Sequence, residues 1–149
     1  VHAASGTRGL LRLMQQVLVL CTGNSCRSIM AEALINQLGA GRYEAVSAGS
    51  QPAGYVHPKS IESLARQGIE VNQPRSKSWD EFTDRSFDLV ITVCDRAAGE
   101  SCPVFPGAPR KLHWSTPDPA EAAGPDDRID RAFDEALQLL RDRIERELL

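Results

Sequence analysis

The chain has 149 residues, 42% hydrophobic and 25% charged, with a net charge of −3; these are the values of one globular domain able to bury roughly two-thirds of its unfolded surface. The slightly negative charge and the lack of a basic run argue against nucleic acid or an anionic membrane as the main partner. No apolar stretch approaches the ~18 residues that a membrane span needs.

Residues 1–13, VHAASGTRGLLRL, lack the cationic start, apolar core and small-residue cleavage site of a secretory signal. They are expected to form a disordered N-terminal extension to a folded domain over 14–149. The expected location is therefore a reducing cytoplasm, where cysteines are free, metal-bound or catalytic more often than structurally paired. Val17–Leu20 is a continuous apolar run, as in a buried parallel strand. Ile29, Met30, Ala33, Leu34 and Leu38 follow at helical spacing, and Gly39 and Gly41 stop that helix. Tyr43–Ala48 predicts a second strand ending at Gly49. Pro58 suits the first turn of a helix carrying Ile61, Leu64 and Ala65, with Gly68 at its C-terminal end.

Pro74 to Ser86 reads as irregular chain with one helical turn at Trp79–Phe82. Phe87–Val93, FDLVITV, is the clearest strand by β-branched content. A Gly/Pro-rich loop is expected over Asp95–Pro109 and a weak fourth strand over Lys111–Trp114. The closing helix runs from Asp126 to Leu148, with Ile129, Phe133, Ala136, Leu137, Leu140, Ile144 and Leu148 as its buried stripe. Asp127 with Arg131 and Asp142 with Arg146 are expected i,i+4 pairs on its wet side, each worth about 0.3 kcal/mol. This alternation predicts a single-domain α/β fold: an open, parallel, four-stranded sheet with helices on both faces. Ligands in such sheets bind beyond the C-terminal strand ends, and Cys21 and Cys94 both stand at ends of that kind.

The first of those ends reads CTGNSCRS. Cys21 and Arg27 bracket five residues between a strand and a helix, and Ser28 follows. A loop there can turn successive N–H groups inward as an anion-binding concavity, aided by the helix dipole. Gly23 is expected to permit torsions forbidden to a side chain, Asn24 to brace the loop through its amide, and Arg27 to offer a planar fork to two oxygens of a tetrahedral oxyanion. The same field should lower the Cys21 pKa from ~8.5, with Ser28 donating to the thiolate, and so make Cys21 an ionised nucleophile.

CTGNSCRS resembles the catalytic loop of the low-molecular-weight protein tyrosine phosphatases and of the arsenate reductases that share their fold, and SAGS at 47–50 and PDP at 117–119 fit as well. The resemblance implies Cys21 as nucleophile and an oxyanion site built from Thr22, Gly23, Asn24, Ser25, Cys26, Arg27 and Ser28. Both branches carry a cysteine at the position of Cys26, which is expected to be a small residue packed inside the loop. Asp118 is the candidate general acid. The phosphatase branch usually has tyrosine after Asp-Pro; here Ala120 follows Asp118 and Pro119.

Two further cysteines, Cys94 and Cys102, lie eight positions apart in VCDRAAGESCPVFPG, too widely spaced for a structural zinc pair, so no metal is expected. That stretch, with HW at 113–114 and PDPAE at 117–121, resembles the thioredoxin-coupled arsenate reductases and implies a relay: Cys94 resolves a Cys21–arsenate adduct, and Cys102 then moves the disulfide to Cys94–Cys102. A disulfide holds its Cα atoms about 4.4–6.8 Å apart, so residues 95–102 are expected to rearrange on oxidation. The function implied is reduction of arsenate to arsenite, with no tightly bound cofactor and with thioredoxin, glutaredoxin or a low-molecular-weight thiol as external reductant. The alternatives are phosphomonoester hydrolysis through a Cys21 phosphocysteine, and a non-catalytic redox or oxyanion sensor. His57 and His113 receive no role. Lys77 falls where some members of the family carry an acidic residue serving a monovalent cation, so no cation dependence is expected.

Overall fold

The computed structural model describes residues 14–149, and the expected extension over 1–13 lies outside the described residues. Four parallel strands, β1 (Gln15–Cys21), β2 (Tyr43–Gly49), β3 (Leu89–Thr92) and β4 (Arg110–His113), form one sheet in the order β2-β1-β3-β4. The helices are α1 (Arg27–Leu38), α2 (Pro58–Arg66), α3 (Asp95–Gly99) and α4 (Asp126–Glu147), with 3-10 turns at Trp79–Phe82 and Pro119–Glu121. Among the described residues no helix is long and apolar enough to cross a membrane.

Period-two alternation along β1 divides the core. Val17, Val19 and Cys21 face the layer of α1, α2 and α4, packing with Met30, Leu34, Leu64, Phe133, Leu137 and Trp114. Leu18 and Leu20 face a thinner layer, in which Phe87 meets Phe105 edge-on and the 3-10 turn adds Trp79 and Phe82. The expected stripe of α4 is buried except for Ile129, which is partly covered. The i,i+4 ion pairs on its wet side are Arg141–Glu145 and Arg143–Glu147 instead of the two expected. Arg146 turns its Nε toward the Asp142 carbonyl at 3.4 Å.

Local chemistry fixes the joints. His57 caps α2, its Nδ1 accepting from the Lys59 amide at 3.1 Å, with Pro58 in the first turn. Asn36 of α1 pairs its amide with both backbone groups of Ala45, at 2.8 and 3.0 Å, and so satisfies the outer edge of β2. The expected loop over Asp95–Pro109 is not irregular throughout, because α3 occupies its first five residues, with Cys94 as N-cap. A helix so short carries no readable periodicity. Register places Leu20 beside Thr92 and Cys21 beside Gly49, so Cys21 and Cys94 leave neighbouring strands at the same end of the sheet.

Candidate active site

Beyond that end lies a cavity of about 640 Å³, lined by residues 21–27, Cys94–Arg96 and Ser115–Asp118. The 22–26 loop owes its shape to three carbonyls that are used outward. Thr22 O accepts from the Gln51 amide at 3.0 Å, Gly23 O from Ala53 at 2.9 Å, and Ser25 O from His57 at 3.1 Å. Among the described residues the amides of Asn24 to Arg27 donate to no protein acceptor. They form an unused donor set at the head of α1, the arrangement that holds a tetrahedral oxyanion.

The left-handed residue of the loop is Asn24, with φ of 47°, and not Gly23, beside which an added Cβ would meet only Ala53 at 4.0 Å. Asn24 is fully buried. Its Nδ2 donates to Ser28 Oγ at 2.8 Å and Ser47 Oγ at 3.0 Å, while its Oδ1 accepts from the Lys77 amide at 2.9 Å. The side chain is therefore the loop's brace, and only its backbone faces a ligand. Ser28 Oγ accepts from Asn24, and among the described residues it makes no hydrogen bond to Cys21, the thiolate it was expected to serve. Behind the loop, the Lys77 ammonium donates to the Arg75 carbonyl at 3.1 Å and lies 3.8 Å from Glu32 Oε1. Burial pulls the Lys77 pKa down and pushes that of Glu32 up.

Close packing at Gly49 locks the loop to the sheet. A Cβ there would overlap the Thr22 carbonyl and stand 2.8 Å from that of Cys21. On the other side Gly49 donates to Lys77 O at 2.9 Å. The SAGS match contains Gly49, but nothing in its sequence context reveals this contact.

Arg27 is held from outside the loop. Its Nη1 donates to Thr116 O at 2.9 Å and its Nη2 lies 3.7 Å from Asp118 Oδ2, while its buried Nε has no protein partner. An unsatisfied buried guanidinium N–H carries a substantial desolvation cost, and an oxyanion in the cavity would relieve it. Asp118 sits at the rim, where Oδ1 also accepts from the Ala120 amide at 3.0 Å and caps a 3-10 turn.

The thiols divide into two places. Cys21 and Cys94 line the same cavity, and each is the strongest influence on the other's ionisation. The Ala97 amide points at the Cys94 sulfur at 3.4 Å, and that thiol is pulled down, chiefly by its neighbour Cys21 and then by backbone donors. Cys21 is pushed up, first by Cys94 and then by burial, against the pull of Arg27. The pair therefore differs from the expected lone Cys21 thiolate: Cys94 is pulled down and Cys21 pushed up together, because two adjacent sulfurs cannot both ionise cheaply. Cys26 is buried within the loop, its sulfur 3.4 Å from Ser25 Oγ, and burial raises its pKa.

Cys102 lies apart. It faces a second cavity of about 320 Å³, bounded by Leu20, Val90, Ala98 and Lys111, while Cys94 faces the first. All four cysteines are free thiols. Sequence reasoning missed Thr116, whose contribution is a carbonyl, and Glu100. Glu100 Oε1 accepts from Thr22 Oγ1 at 2.9 Å and its Oε2 from Ser50 Oγ. A carboxylate set among small residues just before the second cysteine of the stretch was the available signal.

The family model for low molecular weight phosphotyrosine protein phosphatases matches residues 16–148. An arsenate reductase of Halalkalibacterium halodurans is 37% identical over 108 residues, 72% of this chain and 76% of that protein. One from Bacillus licheniformis is 34% identical over 127 residues, covering 85% and 90%. Among solved structures, an arsenate reductase in its oxidized state superposes with a TM-score of 0.73 at 25% identity, covering 89% of this chain and 95% of that one. The thioredoxin-dependent arsenate reductase of Corynebacterium glutamicum gives 0.62 at 30% identity, covering 89% and 62%.

Proposed function

This chain belongs to the low molecular weight phosphotyrosine protein phosphatase family, and on that premise we propose that it is an arsenate reductase working through Cys21, Cys94 and Cys102. The observation that carries the reading is that Cys21 and Cys94 leave neighbouring strands at the same end of the sheet and line one cavity with the anion loop. Arsenate sits on the amides of the loop and on Arg27 Nε, which supplies a charge-assisted donor to one of its oxygens. Cys21 Sγ bonds to arsenic as an arsenic–oxygen bond breaks. The Cys21 proton ends on the departing oxygen, carried by Asp118 at the rim, and water leaves.

Cys94, its pKa pulled down by its neighbours, then attacks the Cys21 sulfur as the thiolate. The sulfur–arsenic bond breaks with its electron pair remaining on arsenic, so arsenic(V) becomes arsenic(III) and arsenite departs from a Cys21–Cys94 disulfide. Cys102 attacks Cys94 next, which releases Cys21 as a thiol and leaves Cys94–Cys102 oxidised. A dithiol protein of the thioredoxin type returns two electrons and two protons to that disulfide. No tightly bound cofactor takes part, and a reducing cytoplasm is the setting that keeps such thiols ready.

Phosphomonoester hydrolysis would use the same loop, Arg27 and Asp118, but gives the neighbouring Cys94 no work. A paired assay separates the two: arsenate-dependent NADPH consumption with thioredoxin and its reductase, beside product release from an aryl phosphate. Cys94→Ser and Cys102→Ser are each expected to lower arsenate turnover at least 100-fold. Turnover persisting in either variant would refute the relay.

A further inference from the structure

Glu100 lies inside the segment that joins the two relay thiols, yet its carboxylate is bonded outside that segment. Oε1 takes the hydroxyl proton of Thr22, the first residue of the anion loop, and Oε2 that of Ser50, just past β2. Both contacts are partly buried, and both are charge-assisted. The opposite end of the segment has a weaker tie, because the Asp95–His113 pair at 2.8 Å is largely exposed and such pairs contribute little. Between the two ends, α3 keeps Cys94 at its N-cap, with the Ala97 amide 3.4 Å from the sulfur.

The oxidised geometry is incompatible with this arrangement. Cys94 and Cys102 face separate cavities across α3, whereas a disulfide holds its two sulfurs together with Cα atoms only ~4.4–6.8 Å apart. Forming that bond requires α3 to unwind and Glu100 to leave Thr22 and Ser50.

We propose that Glu100 is a positioning residue, a latch that fastens the Cys94–Cys102 segment to the anion loop in the reduced protein and lets go when the disulfide passes to Cys102. The proposal rests on the relay reading. The latch favours the dithiol form alone, so it raises the reduction potential of Cys94–Cys102. It also keeps Cys94 beside Cys21 until the arsenic adduct has been resolved. Thr22 has one hydroxyl proton, committed to Glu100 at 2.9 Å while Cys94 Sγ is 3.8 Å away.

The test equilibrates full-length wild type, Glu100→Gln and Glu100→Ala with glutathione buffers of graded ratio, followed by alkylation and peptide mapping. In Glu100→Ala the Cys94–Cys102 equilibrium is expected to move about tenfold toward disulfide, a potential about 30 mV more negative. Glu100→Gln, which keeps one acceptor, should fall between. Amide exchange over residues 95–102 should quicken in the reduced Ala variant but not in the oxidised one. Equilibria within twofold of wild type, or equal destabilisation of both redox forms, would make Glu100 merely structural and overturn the latch. A wild type that never forms Cys94–Cys102 at any ratio would instead overturn the relay itself, and the latch with it.

Discussion

Gly49→Ala tests how tightly the sheet holds the anion loop. The new Cβ would lie 2.8 Å from the Cys21 carbonyl and nearer still to that of Thr22; restoring ordinary contact at 3.4 Å takes 3.4 − 2.8 = 0.6 Å of movement at the first of these. Both obstacles are backbone, and neither can rotate aside. Gly49 itself cannot retreat, since its amide is bonded to Lys77 O at 2.9 Å and it pairs with Ser78 on that side. Overpacking of this kind costs about 1–3 kcal/mol. At about 2–4 °C per kcal/mol for a domain of this size, a cost of about 2 kcal/mol lowers Tm by about 4–8 °C. The same displacement passes into Thr22 and the amides beyond it, where an error of about 1 Å can cost a hundredfold. About a tenfold rise in KM for arsenate and in the inhibition constant for phosphate is therefore expected. Differential scanning fluorimetry and initial-rate kinetics measure both. A variant with wild-type Tm and unchanged phosphate inhibition would refute the account of the loop as a rigid extension of β1 and β2.

Two further outcomes follow from the buried groups. Asn24→Ala removes two donors and an acceptor from a fully enclosed site and leaves a left-handed backbone that alanine tolerates poorly. A loss of about 2–4 kcal/mol in urea unfolding is expected, and a loss below about 0.5 kcal/mol would deny the brace. The thiol pair predicts a pH signature. A folded value near 5 against 9.0 means that the Cys94 thiolate adds stability that is complete above pH 9 and lost as pH falls through about 5. Cys21, shifted upward, subtracts from stability only above 9. The urea midpoint gap between wild type and Cys94→Ala should accordingly be wider at pH 8 than at pH 5. Cys94 alkylation in wild type should stay rapid down to about pH 5–6, and in Cys21→Ala it should demand a higher pH. Coincident alkylation profiles would place the charge elsewhere.

The residues differed in how openly they announced themselves. Strands β1 and β3 were legible because buried parallel strands are uninterrupted apolar runs, and the 3-10 turn at Trp79–Phe82 was found where expected. Helix α3 was hidden, since five residues of DRAAG offer no face to count. The cradle's outline was readable from Cys21 and Arg27, which bracket a loop at a strand–helix junction. Its internal wiring was not. Asn24, Ser28, Ser47 and Lys77 form one buried cluster, but Ser47 and Lys77 come from other parts of the chain. The coupled ionisation of Cys21 and Cys94 likewise depends on the proximity of residues 73 positions apart in the sequence.

That separation has a consequence for biogenesis. β1 finds its partner β3 only after both β2 and the long excursion through α2 have been made, so the central pairing closes a large loop against chain entropy. Until it zips, the nascent polypeptide holds its four sulfurs with no template for choosing among them, and any pairing made then would be a trap. On the relay reading, a chain of this topology depends on its surroundings twice: a reducing milieu to mature without error, and an electron supply to work afterwards.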